Sequence, residues 1–186
     1  MSAEVPETDE GRRRFISWLW RLPVLAAIGG GAWGAWRYYS VHYQRQPANP
    51  DPQFRAFEPL PFAQLADFSE PWSAVEFVYA NLPVIALSVP EPVAGGVSTS
   101  DVNLVAYSRI CTHEGCPVQL SRDTEAVAFA FNYRSDMPSL VCHCHLSVFA
   151  PDRQGVAVSG PAMRPLPRIR LELRDGQVLA TGVEQT

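Results

Sequence analysis

Every cysteine of this 186-residue chain, and three of its four histidines, fall in two short runs: Cys111-Thr112-His113-Glu114-Gly115-Cys116 and Cys142-His143-Cys144-His145-Leu146-Ser147. Two loops that each offer a thiolate beside an imidazole constrain the fold strongly, because the surrounding chain must hold both against one metal centre. Cys111 and His113 stand two apart and on an extended loop can converge on one ion, while Cys116 lies beyond a Glu-Gly step. In the second run Cys142 and His145 can reach a metal, and Cys144 between them points elsewhere. Cys116 and Cys144 are left over, one per loop, and the economical use of such a pair is a disulfide joining the loops. Two Cys and two His then fit either a closed tetrahedral zinc or a binuclear iron-sulfur centre with imidazoles on one iron. A pair of plain disulfides is the poorer account, since Cys142 and Cys144 are too close to bond each other comfortably.

The order Cys-x-His-x-x-Cys followed by Cys-x-Cys-His-x-Ser resembles the Rieske 2Fe-2S family. The resemblance spans about 104–182 and continues through Phe149, Gly155 and Gly160-Pro161-Ala162, which is similar to the proline-bearing loop that covers a Rieske cluster. It implies one 2Fe-2S cluster with Cys111 and Cys142 on one iron and His113 and His145 on the other. It also implies a cofactor-binding role for Ser147, Gly160 and Pro161, with the Ser147 hydroxyl bonded to a bridging sulfide. Imidazole in place of thiolate removes negative charge from such a cluster and raises its potential, and the second ring nitrogen stays free to meet a quinol.

The chain departs from the family pattern at four positions. Phe149 stands where a tyrosine usually donates to a cysteine sulfur, and loss of that donor lowers the potential, which favours menaquinol. His143 replaces a common proline and Leu146 a common glycine, variants similar to the small subunit of arsenite oxidase. With His145 already filling the ligand set, His143 is assigned a surface or supporting role. Glu114 replaces an apolar tip residue and is read either as a relay for the quinol proton or as a solvated tip carboxylate.

Basic residues gather early, in Gly11-Arg12-Arg13-Arg14-Phe15-Ile16, ahead of the apolar stretch 22–36. Paired arginines followed by Phe and an aliphatic read as a twin-arginine export signal, with ordinary positive-inside charge as the plainer account. The 22 residues from Phe15 to Trp36 suffice for one membrane crossing despite Arg21 and Pro23, and Trp33, Trp36, Tyr38 and Tyr39 suit an interfacial belt. The expected organisation is a cytoplasmic segment 1–14, an uncleaved transmembrane anchor 15–39 in the inner membrane, a proline-rich stalk 40–61 and a head domain 62–186. The head would lie on the outer, periplasmic side, where oxidising surroundings suit a Cys116–Cys144 bridge. A formal net charge of -4 gives no footing for nucleic acid.

The head reads as all-β: by resemblance, a Rieske-type antiparallel β-sandwich with a cluster-binding loop subdomain and no helix needed for its core. Val75-Glu76-Phe77-Val78-Tyr79 and Val84-Ile85-Ala86-Leu87-Ser88 are strand-like runs, as is Ala126-Val127-Ala128-Phe129-Ala130-Phe131. Arg168 to Arg174 alternates, placing Ile169, Leu171 and Leu173 on one face, and Asp175-Gly176 marks a hairpin. The resemblance implies the Rieske subunit of a bacterial cytochrome bc-type complex. There a quinol at His113 and His145 gives an electron that leaves for a c-type cytochrome, beside a cytochrome b subunit, with the proton released outside. Two alternatives stand beside it: the Rieske small subunit of arsenite oxidase, partnered with a molybdenum subunit, and a structural zinc module in a membrane-tethered binding protein.

Overall fold

The computed structural model describes residues 9–185, with the backbone alone for 9, 10 and 40–43; residues 1–8 of the expected cytoplasmic segment lie outside the described residues. The chain forms two compact units that divide after Gln44. The first contains helices α1 (Asp9–Leu19) and α2 (Arg21–Tyr43). They are parted at Trp20 because Pro23 has no N–H to give the Leu19 carbonyl, a vacancy that the first turn of a new helix tolerates. The stretch Gly11–Tyr39 is 29 residues long and apolar enough to cross a membrane, and its large apolar side chains are exposed.

The second unit begins at Arg45 and contains three antiparallel sheets. The base sheet has the order β1 (Phe54–Gln64), β11 (Gln177–Glu184), β10 (Ile169–Arg174). The middle sheet runs β2 (Ala74–Tyr79), β3 (Leu82–Val89), β5 (Asn103–Ser108), β4 (Val97–Ser98). The third runs β6 (Gln119–Ser121), β7 (Ser139–Cys142), β8 (Ser147–Ala150), β9 (Val156–Ser159).

The middle sheet carries a core on each face. Because successive strand residues point to opposite sides, Val84, Ala86, Leu104 and Ala106 pack with Ile169, Leu171, Val178 and Ala180 of the base sheet. Ile85, Leu87, Val105 and Tyr107 pack instead with Leu140, Cys142 and Phe149 of the third sheet. A strand buried on both sides reads as an unbroken apolar run, as at 84–87. The Asp175-Gly176 hairpin matches expectation, and a second tight hairpin precedes β3. Ala80-Asn81 (φ 49° and 63°) joins β2 to β3, and Asp175-Gly176 (φ 52° and 78°) joins β10 to β11, each pair left-handed as a two-residue turn requires.

Two expectations are corrected. The run 126–131 is not a strand but lies in helix α3 (Thr124–Phe131), so the head is mostly rather than wholly β. Asp123 caps the helix by accepting from the Ala126 amide (2.9 Å), and Val127 and Phe131, one turn apart, pack with Val141 and Val148 in a small third core. The alternation that suggested a strand is made largely of alanines, and Phe129 stands almost fully exposed. Nor is the whole of 40–61 a proline-rich stalk. Helix α2 continues to Tyr43, and Pro59 and Pro61 lie within β1, paired to β11. The prolines fit because β1 is an edge strand whose register shifts between Ala56 and Leu60 and again between Pro61 and Ala63, where no ladder donor is demanded.

Arg168 knits these layers together. Its Nε and Nη2 donate to Glu184 (2.9 and 2.7 Å), its Nη1 to the Ala94 carbonyl and to Gln154 Oε1 (3.0 and 3.2 Å), and its Nη2 also to the Asn49 carbonyl (2.7 Å). Both charged side chains are buried. Arg168→Met should destabilise the head by about 3–5 kcal/mol, because it strands a buried carboxylate. Arg168→Met with Glu184→Leu should recover much of the loss in urea unfolding.

Candidate metal centre

The first loop leaves β5 at Ser108 and closes on itself before β6. The Cys111 amide donates to the Cys116 carbonyl, Gly115 N to Cys111 O, and Val118 N to Arg109 O, each at 2.9 Å. Arg109 Nε returns to the Val118 carbonyl at 2.9 Å, and the tight reversal uses Gly115 at φ 77°. The second loop is a hairpin: Cys142 at the end of β7 pairs with Ser147 at the start of β8. Leu146 between them is left-handed at φ 59°.

The disulfide Cys116–Cys144 joins the two loops, as the sequence implied. Cys111 and Cys142 are free thiols and buried. Burial pushes the Cys111 thiol up, partly offset by the His113 backbone amide, and the neighbouring Cys142 thiol adds to the rise. Two such thiols act as thiolates when a bound cation supplies the compensating charge.

The imidazoles form the outer half of the site. The rings of His113 and His145 meet edge to face with centroids 4.9 Å apart, and their side chains are 29% and 48% exposed. The Glu114 carboxylate stands over both distal nitrogens, 4.0 Å from His113 Nε2 and 3.6 Å from His145 Nε2. The His143 ring packs against Phe131 in a T-shaped pair, centroids 5.2 Å apart.

A third loop, 160–164, closes the site. Gly160 is left-handed at φ 77°, and a Cβ there would lie 2.4 Å from the Leu146 carbonyl oxygen and 2.6 Å from Ser147 Cα, so only glycine fits. Ser147 is fully buried and its Oγ accepts from the Ala162 amide at 3.1 Å, which leaves its own O–H available as a donor. Pro161 is half-buried in the same loop. Phe149 is buried in the core beneath. One supporting residue escaped the sequence reading: Thr112 Oγ1 donates to the Arg164 carbonyl at 2.7 Å, tying the first loop to the third. A hydroxyl placed between two candidate ligands was the available signal. The donor set of two adjacent buried thiols, two adjacent imidazoles and a close-packed glycine cover fits a binuclear cluster with sulfur ligands on one side and nitrogen ligands on the other.

Residues 91–170 match the family model of the Rieske [2Fe-2S] domain. The chain is 27% identical to the iodate reductase subunit IdrB of Denitromonas iodatirespirans over 173 residues, which cover 93% of this chain and 80% of that protein. It is 36% identical over 78 residues to the cytochrome bc1 complex Rieske iron-sulfur subunit of Corynebacterium glutamicum, covering 41% of this chain and 16% of that one. Among solved structures, the soluble domain of the Rieske protein II (soxF) from Sulfolobus acidocaldarius is similar in fold, with a TM-score of 0.53 at 23% identity, covering 73% of this chain and 82% of that chain. The match to a 2Fe-2S domain sets the zinc module aside.

Gly160→Ala should abolish most cluster incorporation, read as iron per protein, because the added methyl meets backbone. Gly176→Ala meets only open space at a similar φ, and should cost about 1 kcal/mol of stability with iron content intact. Cys116→Ser removes a cross-link between residues 28 apart in sequence and should lower head stability by about 3–4 kcal/mol on the loop-entropy model, measured by urea unfolding.

Proposed function

We propose, on the premise that this chain carries a Rieske [2Fe-2S] domain and is a Rieske electron-transfer protein, that it serves as the electron-transfer subunit of a larger oxidoreductase, docked by its cluster tip on a catalytic partner subunit. In this reading Cys111 and Cys142 hold one iron and His113 and His145 the other. The bound cluster supplies one-electron redox chemistry at a potential raised by its imidazole ligands. The chain's own residues do the rest. The Cys116–Cys144 bond fixes the two ligand loops, the Ser147 hydroxyl offers a donor, and 160–164 keeps water from the thiol side.

The observation that carries the docked reading is Glu114. A quinol must reach a distal imidazole nitrogen to be oxidised there, and both Nε2 atoms already lie under one carboxylate, at 3.6 and 4.0 Å. A protein partner needs only proximity to the tip. Similarity to the iodate reductase subunit along 93% of the chain supports the same reading.

The second reading is the quinol-oxidising one, with menaquinol as donor and cytochrome b and a c-type cytochrome as partners. The apolar helix and the half-exposed His145 favour it. In both readings the N-terminal helix anchors the protein in the inner membrane with the head outside. The arginines 12–14, ahead of the apolar stretch, and a disulfide suited to an oxidising compartment support that placement.

Purification in mild detergent separates the two readings. The docked one expects a molybdenum-containing partner and no stoichiometric b-type haem; recovery with haem b and quinone would sink it. Glu114→Gln should raise the midpoint potential by on the order of tens of millivolts, less at high salt, because a negative charge beside both imidazoles opposes reduction. Redox titration of wild type and variant checks this.

A further inference from the structure

We infer that the segment 45–49, which comes directly after the apolar helix in sequence, is a wall of the cluster site rather than a tether leading to it. Arg45 and Gln46 are positioning residues for the covering loop 160–164; their link to the cluster rests on the Rieske reading above.

The covering loop has no strand or helix to absorb its backbone polar groups, so they must find partners elsewhere. Ser147 Oγ takes the Ala162 amide at 3.1 Å, and Thr112 Oγ1 donates to the Arg164 carbonyl at 2.7 Å. These two bonds come from the ligand loops. The other two come from residues more than a hundred positions upstream: Arg45 Nη2 donates to the Gly160 carbonyl at 2.9 Å, and the Gln46 amide donates to the Met163 carbonyl at 2.7 Å. The far end of the segment is held in turn by Arg168 Nη2 on the Asn49 carbonyl at 2.7 Å.

The local sequence suits a strap. Pro47 confines Gln46 to extended backbone, and Pro50 and Pro52 stiffen the chain between the segment and β1, so little chain entropy is lost when the segment lies along the loop. Gln46, Pro47 and Asn49 thereby form one side of a groove of about 650 Å³, whose other sides include His113, Glu114 and Arg164. The grip reaches the ligands because Gly160 is packed against the backbone of Leu146 and Ser147, the residues directly after His145. Loosening Arg45 therefore loosens the seat of the second ligand loop.

The full-length protein in detergent tests this with two variants. Arg45→Ala removes the side-chain donor, and Gln46→Pro deletes one amide hydrogen while keeping the extended backbone. Each should speed exchange of the Ala162 amide, held by Ser147 Oγ, about fivefold, the factor that corresponds to a hydrogen bond of about 1 kcal/mol, and shift the electron paramagnetic resonance g-values of the reduced cluster. Arg174→Ala, which removes the exposed pairing with Glu172 on the β10–β11 hairpin, should change neither. Unchanged exchange in both strap variants would overturn the inference. Faster exchange with an unchanged spectrum would also overturn it, reducing the strap to a structural tie. If the wild-type protein binds no iron, the Rieske reading has failed and the positioning role is overturned with it; the exchange comparison then reports separately whether the strap holds the loop.

Discussion

The buried pairing of Arg168 with Glu184 is the constraint on which the head depends. A guanidinium has five donors in a rigid plane, and here they meet β11, the loop at Ala94, Gln154 of the third-sheet region and the backbone of Asn49. No apolar side chain could join four segments so distant in sequence while specifying the orientation of each. The backbone around Arg168 adds to this. Ser108 N donates to the Pro167 carbonyl and Glu184 N to the Arg168 carbonyl, each at 2.9 Å. The strand that ends at Ser108 continues directly into the first ligand loop, so the buried charge and the candidate metal centre share one rigid support.

That support explains the asymmetry of the site. The middle sheet has apolar cores on both faces, and Cys111 and Cys142 belong to the core it shares with the third sheet, alongside Leu140, Phe149 and Leu166. The imidazoles, carried a few residues further out on each loop, reach solvent. Low dielectric around the two thiols and water around the two imidazoles result from where β5, β7 and β8 end. A partner can then meet the nitrogen side without disturbing the core.

The metal-binding chemistry was legible because it depends on residue type and short spacing, which a linear sequence displays: the two boxes, the left-over cysteines that bond each other, the Asp175-Gly176 turn and the alternation in β10. What escaped depends on long-range partners. The 126–131 alternation mimics a strand, and only the Asp123 cap and the one-turn spacing of Val127 and Phe131 mark it as α3. The prolines at 59 and 61 suggest an extended spacer until β11 supplies an edge to pair with. Arg45 gives no local hint of its bond to Gly160, 115 residues away.

Leu146 brings backbone strain and surface chemistry together. A leucine at φ 59° carries a steric cost that glycine would avoid, and its side chain is nearly half exposed, so core packing does not offset that cost. Strain of this kind persists where the surrounding structure over-determines it. Here the disulfide at Cys144, the Cys142–Ser147 pairing and the close approach of Gly160 all fix the turn. The consequence is a nearly half-exposed apolar side chain on the turn that directly follows His145. A partner with an apolar seat would gain a pre-organised contact there at little entropic cost.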